Sequence, residues 1–353
     1  MKNKTFTLIL SLLLLSLTAF GREYEVRRQI HKDFKVGTNA RLQIENRYGN
    51  IVIVEGRKNE IRFNIEIIGR GEKERIAEAM ADRASIDFSK SGNSVYARTE
   101  FSGRESFRCN NCGTTVNYTV TVPSSVYMYL INKYGHIRLN DVKQNFKAEL
   151  KYGNLSANTL QGNDNEIIMK YGNIEIGQVR NLKLDIAYAS SISFTTVENL
   201  DLISSYSKMN ADRIDNCTLS SKYDKYNITS LGRMTVTSSY TDFNIGDLQK
   251  TFDASNLRYC KVRIDRVSYN FNSIFISASY TPIRIGVTQQ HNFRARLSTR
   301  YGNLRTKGLK FSEVSFDDTD HYSKRIEGIV GHSSNPKAQI EITDSYADII
   351  LNQ

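Results

Sequence analysis

Apolar and polar residues alternate along most of this chain, in short runs that restart at a recurring corner. Between Tyr171 and Tyr188, Ile174 and Ile176 share one parity, while Leu182, Leu184 and Ile186 share another that leads into Tyr188. Alternation of period two predicts strands with one buried face and one wet face. The corner reads Tyr-Gly-Asn in its strongest copies. These are RYGNIVI at Arg47–Ile53, KYGHIRL at Lys133–Leu139, KYGNLSA at Lys151–Ala157, KYGNIEI at Lys170–Ile176 and RYGNLRT at Arg300–Thr306. Weaker copies fill the gaps and end in SYADIIL. From Tyr134 the marker tyrosines are Tyr152, Tyr171, Tyr188, Tyr206, Tyr223, Tyr240, Tyr259, Tyr280, Tyr301, Tyr322 and Tyr346, spaced 17–24 residues apart.

A unit this short cannot bury a core alone and must stack on copies of itself. A helix of about 12 residues does not fit between corners, which argues against a strand–helix repeat. The predicted fold is all-β, a β-solenoid with one repeat per coil, each strand pairing in parallel with its equivalent in the next. About 12 coils at ~4.8 Å each would span roughly 55–60 Å. Gly172 and Asn173 interrupt the parity, and glycine is expected there to supply a positive φ. The tyrosines and the corner asparagines should each form a stacked column, the amides satisfying one another along the axis. Tyrosines also bind sugars, but a row repeated this evenly reads as architecture.

The first 21 residues read as a secretory signal: Lys2 and Lys4, an apolar run from Phe6 to Leu17, and Ala19 and Gly21 at the −3 and −1 positions of a cleavage site after Gly21. The expected mature protein is exported, to the periplasm or cell surface, with no transmembrane segment. Residues 22–123 interrupt the short period, since Tyr48 and Tyr134 are 86 residues apart. Strands are predicted at Ala40–Asn46, Ile51–Glu55, Glu60–Ile68, Ser94–Thr99 and Thr114–Val122. A helix near 72–83 carries Ile76, Ala79 and Met80 at helical spacing and should cap the N-terminal end of the stack, where a bare strand edge would otherwise recruit other chains. Residues 124–353 then form the solenoid.

The exported N-terminus, ARLQIENRYGNIVIVEG, the β-rich arm with its helix, NYTVTVPSSVYMYLINKYGHIRL and the short coils together resemble the bacterial "putative adhesin" family of unknown function. These are also called toastrack domains and are related to head-GIN domains. The resemblance covers about Phe34 to Gln353. It implies a single-stranded right-handed parallel β-helix in the cell envelope, with no assigned enzyme activity or cofactor. Many family members have Asp where this chain has Asn50, His136, Asn154 and Asn173, so calcium at the corners is not expected. The family motif is structural, and it carries no functional residues onto this sequence.

The net charge is +11, and Lys2 and Lys4 contribute two of these. Its distribution is uneven. Residues 131–249 carry 13 basic and 13 acidic groups, residues 250–310 carry 12 and 2, and residues 311–353 carry 3 and 8. Arg263, Arg284 and Arg305 each lie four positions after a marker tyrosine, between apolar neighbours. They should point outward and stack about one rung apart. Two like charges ~4.8 Å apart in water repel by only about 0.9 kcal/mol, so drift tolerates such a column. With Arg258 and Lys261, it reads either as a solvated basic face neutralised by the acidic end, or as a site for an anionic glycan, lipid or acidic protein surface. An exported protein seldom meets nucleic acid, and no nucleic-acid motif is present.

Cys109 and Cys112 flank a two-residue loop and could close a local disulfide in an oxidising compartment. Cys217 aligns with Leu182 and Met234 as a buried thiol, and Cys260 aligns with the corner glycine. No metal-ligand spacing appears. The carboxylates Asp201, Asp212, Asp215, Asp224 and Asp242 share no register, so the glycan-cleaving chemistry that some β-helices host is not expected. The leading function is a non-catalytic binding scaffold. The alternative is a periplasmic structural or signalling partner, self-associating end to end through a terminal coil, Ala338–Leu351, that has no obvious cap.

Overall fold

The computed structural model describes residues 24–103, 111–319 and 322–352. They are nearly all β, with one α-helix at Glu74–Asp82 and one continuous sheet system of 27 strands. The signal segment and Cys109 lie outside the described residues.

The parallel register predicted from the repeat is present. Ile174–Ala187 pairs in parallel with Ile192–Ser205, which pairs with Lys208–Lys222, then Lys225–Ser239, then Asp242–Arg258. In the first of these, the buried positions are Ile174, Ile176, Val179, Leu182, Leu184 and Ile186. Two steps of three within a run of twos bend the chain twice while keeping its apolar side inward. The tyrosine corner makes a third bend. Apolar columns result, such as Leu182, Leu200, Cys217 and Met234, and each repeat adds one member to each column.

The corner works differently from the expectation. Positive φ falls on the tyrosines, not the glycines. Twelve tyrosines, from Tyr48 to Tyr346, have φ of 50–70°. The glycines that follow are needed for close approach. A Cβ on Gly153 would lie 1.9 Å from the Gly135 carbonyl oxygen, and one on Gly172 would lie 1.8 Å from that of Gly153. The space is shared with the residue two before the tyrosine. Met169 Cε would meet a Cβ on Gly172 at 2.4 Å. Later corners carry small serines at that earlier position (Ser204, Ser221 and Ser238), and there the glycine is replaced by Ser207, Asp224 and Thr241. These buried side chains accept hydrogen bonds from the previous corner: Ala189 N–H to Ser207 Oγ at 3.1 Å, Ser207 N–H to Asp224 Oδ1 at 2.7 Å, and Asp224 N–H to Thr241 Oγ1 at 3.3 Å. Burial raises the Asp224 carboxyl above its usual range, against the pull of these donors and of Tyr226 Oη.

The N-terminal region contains two long elements that the sequence reading missed, Tyr24–Lys35 and Ala84–Ser91. The first shows no period-two alternation, while the second alternates only over Ala84, Ile86 and Phe88 before a polar end. The first shows mostly exposed residues because it is an outer edge. The predicted helix is found, but strands cover the first repeat. Gly113–Val122 and Ser94–Phe101 pair in parallel with Ile51–Glu55 and Arg41–Arg47, and antiparallel strands extend outward from both. The helix braces this layer from behind, packed so closely that a Cβ on Gly69 would lie 2.1 Å from the Ala77 carbonyl oxygen.

The C-terminal end departs most from sequence order. The last strands, Ala338–Ser345 and Ile349–Asn352, do not end the stack. Ala338–Ser345 lies in parallel between Ser273–Ser279 and Phe293–Arg300. Ile349–Asn352 lies between Ile283–Gly286 and Leu304–Arg305. The outer edge of Phe293–Arg300 is covered by the antiparallel strand Ser323–Val330, which pairs in turn with Phe311–Thr319. The expectation of an uncapped terminal coil is therefore corrected: that segment is hydrogen-bonded on both sides, and a hairpin closes the end.

This insertion buries Asp344, which is 1% exposed between Ala278 and Thr299. Neither carboxylate oxygen has a hydrogen-bond partner. Burial raises its pKa from 3.8 to about 7. The folded state thus prefers the protonated form, and this contribution is lost as pH rises from the unfolded value through about 7. Asp344→Asn should unfold at higher temperature than the parent at pH 8, with the gap shrinking as pH falls from 7 to 4, measured by circular dichroism melts. Gly153→Ala should cost about 1–3 kcal/mol in chemical denaturation by overpacking. Gly113→Ala, with nothing within 4 Å of its Cβ, should stay within about 0.5 kcal/mol.

Candidate functional site

The corner tyrosines form one continuous stack along an edge of the molecule. Its order is Tyr48, Tyr134, Tyr152, Tyr171, Tyr188, Tyr206, Tyr223, Tyr240, Tyr259, Tyr280, Tyr346 and Tyr301. Ring centroids are 4.7–5.3 Å apart and planes are inclined by 3–17°. Tyr346 takes the place between Tyr280 and Tyr301 because the last strand is inserted there. Tyr322 is only tilted against the end ring. Each tyrosine keeps its backbone ladder bond through the corner, as from Tyr134 N–H to Lys151 O at 2.9 Å. A left-handed corner costs roughly 1–2 kcal/mol for a non-glycine residue. An aromatic pair contributes about 0.5–1.5 kcal/mol beyond area burial, so the stack goes far towards offsetting its own strain. The rings are 39–51% exposed. Their faces cover one another, so solvent meets ring edges and hydroxyls.

A second column stands beside the first, built from the residue immediately before each tyrosine. At the N-terminal end it reads Arg47, Lys133, Lys151 and Lys170, paired one to the next in direct register. All four are exposed, and none makes an ion pair among the described residues. Acids on the same face are engaged elsewhere: Glu45 with Arg98 at 3.5 Å, Glu166 with Lys147 at 3.2 Å, and Glu149 with the Tyr129 hydroxyl. The Arg47 guanidinium lies 4.7 Å from the Phe101 ring centroid and 5.7 Å from that of Tyr48, and Lys151 Nζ lies 5.3 Å from that of Tyr152. Cation–π attraction of about 0.5–1 kcal/mol at exposed sites offsets the repulsion within the row. Further along come Ala187 and Ser205, then Lys222, Arg258 and Arg300 at intervals. A hollow of about 350 Å³ opens at the start of the row, lined by Arg47, Arg98, Lys133, Glu45, Glu100 and Phe101 among others.

The arginine column expected from sequence is broken. Arg263 and Arg284 are direct neighbours, but Ile350 separates Arg284 from Arg305. Arg263 pairs with Asp265 at 2.6 Å, and Arg305 with Asp348 at 3.4 Å. Nearby Arg266 holds Asp247 with two bonds, at 2.6 and 2.9 Å. Lys261 stands in register with Asp242. Of the five basic residues singled out, Arg258 alone belongs to the column beside the tyrosines. The signal for that column was visible in the motif, whose strong copies all begin with Arg or Lys.

The asparagine column is present, with a different bonding pattern. Each side chain accepts from the next corner's backbone: His136 N–H to Asn50 Oδ1 at 2.9 Å, Asn154 N–H to His136 Nδ1 at 3.0 Å, and Asn173 N–H to Asn154 Oδ1 at 3.0 Å. Amide-to-amide ladders occur elsewhere, through Asn181, Asn199 and Asn216 and through Asn210, Asn227 and Asn244. Cys112 is disulfide-bonded. Cys217 and Cys260 are free and buried, and burial pushes the Cys217 thiol up to about 12. The acids considered for catalysis remain dispersed. Asp224 is buried in a corner, and Asp215 pairs with Arg213 at 2.7 Å.

No protein-family model and no curated protein matches the chain. Among solved structures it is similar to a "putative cell adhesion protein" from Clostridium sporogenes, at 8% identity over 93% of this chain and 100% of that one, with a TM-score of 0.22. It is also similar to a "putative adhesin" from Parabacteroides distasonis, at 8% identity over 72% and 96%, with a TM-score of 0.38. A "putative lipid binding protein" from the same organism matches at 14% identity over 72% and 95%, with a TM-score of 0.31. No described helix is long and apolar enough to cross a membrane.

Proposed function

We propose that this protein is a non-catalytic binding scaffold of the cell envelope, a right-handed β-solenoid exported by its N-terminal segment. In this reading residues 22–123 form the capping region and contribute the first turn through Arg41–Glu55. Residues 124–353 form the remaining turns. The ligand is a linear polyanion of the acidic-glycan class, held along the tyrosine edge.

One observation carries the reading. Arg47, Lys133, Lys151 and Lys170 form an exposed row without acidic partners among the described residues, one sheet spacing apart, beside a line of tyrosine hydroxyls. A single row of cations matches a polymer whose anionic groups recur along its length. A membrane plane would be met better by cations spread over several columns. The tyrosine hydroxyls add neutral donors beside each charge. The rigid backbone fixes the spacing in advance, which limits the ordering cost on binding.

The test is binding of the mature protein to immobilised polygalacturonate, with anionic phospholipid vesicles as a second surface. Replacing Arg47, Lys133, Lys151 and Lys170 together by Gln should weaken glycan binding at least about tenfold, a loss of ~1.4 kcal/mol, and flatten its salt dependence. Arg263→Ala, Arg284→Ala and Arg305→Ala together should change it less than about threefold. Unchanged glycan binding by the fourfold variant, or binding to vesicles alone, would overturn the reading.

A further inference from the structure

The charge asymmetry of the sequence has a structural counterpart at the inserted terminal segment. Residues 338–352 carry Glu341, Asp344 and Asp348 and no basic group. The basic residues beside the slot they fill lie mostly on Phe293–Arg300 and Leu304–Arg305, with Arg284 on the opposite side. Arg296 lies 3.6 Å from Glu341, as well as 3.2 Å from Glu327 of the covering hairpin, and Arg305 lies 3.4 Å from Asp348. Arg284 and Arg294 belong to the same flanking strands.

Two features make this segment separable from the rest. The first is its route. Ser323–Val330 lies on the outer side of Phe293–Arg300, and Ala338–Ser345 lies on the inner side. Residues 331–337 alone carry the chain across. That crossing starts at Gly331, with φ of 102°, and is anchored by Asn292 Oδ1, which accepts from His332 N–H at 2.7 Å and Ser333 N–H at 3.0 Å. The second is the spacing of the flanking strands. Tyr259, Tyr280 and Tyr301 are each 21 residues apart. Tyr259 and Tyr280 are stacked neighbours, whereas Tyr280 and Tyr301 are parted by Tyr346. The slot is thus an added place in the repeat, occupied by strands that follow both of its flanks in the chain.

We propose that this slot also accepts the terminal segment of a second copy of the chain, so that two copies exchange residues 338–352 reciprocally. The occupant is fixed by complementarity: an acidic, alternating strand ending in a tyrosine corner, received beside these basic residues and between two tyrosines. Every ladder bond, ion pair and ring contact made within one copy is remade between two. The balance between closed and exchanged forms is then set by the connector and by protein concentration. The hairpin covers the outer edge of Phe293–Arg300 and leaves this route open.

Ser277 and Thr343 are exposed and directly paired across the slot, within reach of a disulfide if both become cysteine. A tagged full-length chain with Ser277→Cys is mixed at high concentration with an untagged chain carrying Thr343→Cys, then oxidised. Exchange predicts a disulfide-linked tagged–untagged dimer on a non-reducing gel. It also predicts far less of it when the tagged chain carries Thr235→Cys instead, an exposed site away from the slot. Arg296→Glu with Arg305→Glu in the slot chain should reduce the product at least fivefold, and Glu341→Arg with Asp348→Arg in the other chain should restore it. The doubly substituted chain, Ser277→Cys with Thr343→Cys, checks that the pair can close within one molecule. Complete closure there with no mixed dimer, or equal mixed dimer from the Thr235→Cys control, would overturn the proposal.

Discussion

Everything in this molecule rests on one corner, where a tyrosine turns the chain through a left-handed conformation and stacks on the tyrosines above and below. The strain of that conformation recurs twelve times, and each instance is countered by a ring contact available only because its neighbours adopt the same conformation. The corner is therefore cooperative. One tyrosine held at φ near 60° on its own would be an outlier. A dozen in register fix the bend, the spacing and the face on which the following side chains emerge.

The inside of the corner has little room, and the chain divides it in two ways. Where Leu150, Met169 or Ile186 reaches into the corner, the residue after the tyrosine is Gly or Ala. Where Ser204, Ser221 or Ser238 does, a polar side chain follows the tyrosine and takes over the hydrogen bonding. The same constraint of volume and polar satisfaction accounts for both. It also explains why Asp224 can be buried, since its oxygens receive a backbone N–H and the Tyr226 hydroxyl. Asp344 occupies the earlier of these positions in the inserted strand without such partners, so a neutral carboxyl suits that layer better than a charged one.

Charge follows the same geometry. Four of the twelve basic residues in 250–310, Arg263, Arg266, Arg296 and Arg305, meet acids from the terminal segment or from Asp247 and Asp265, so part of a large net charge in sequence is paired in space. Lys133, Lys151 and Lys170 lie in a stretch whose sequence counts balance, and yet they and Arg47 face solvent without acidic partners among the described residues. Net charge over a window does not identify which cations lack acidic partners, because the window sums over faces that the fold separates.

Much was legible in the sequence because a period-two pattern with a fixed corner leaves one economical way to bury apolar residues. Strand identity, parallel register, the tyrosine and asparagine columns and the buried Cys217 all follow from aligning copies of Tyr-Gly-Asn. Alignment could not show which residue of the corner takes positive φ, since both Tyr and Gly recur there, and only the 1.8–2.0 Å approaches to neighbouring carbonyls settle the role of glycine. Nor could it show that the stack runs Tyr280, Tyr346, Tyr301. Sequence order assigns neighbours only while each repeat packs on the one before it. The terminal segment crosses over its predecessor, and the pairing of acidic strand with the basic residues beside it that holds it there exists in three dimensions alone.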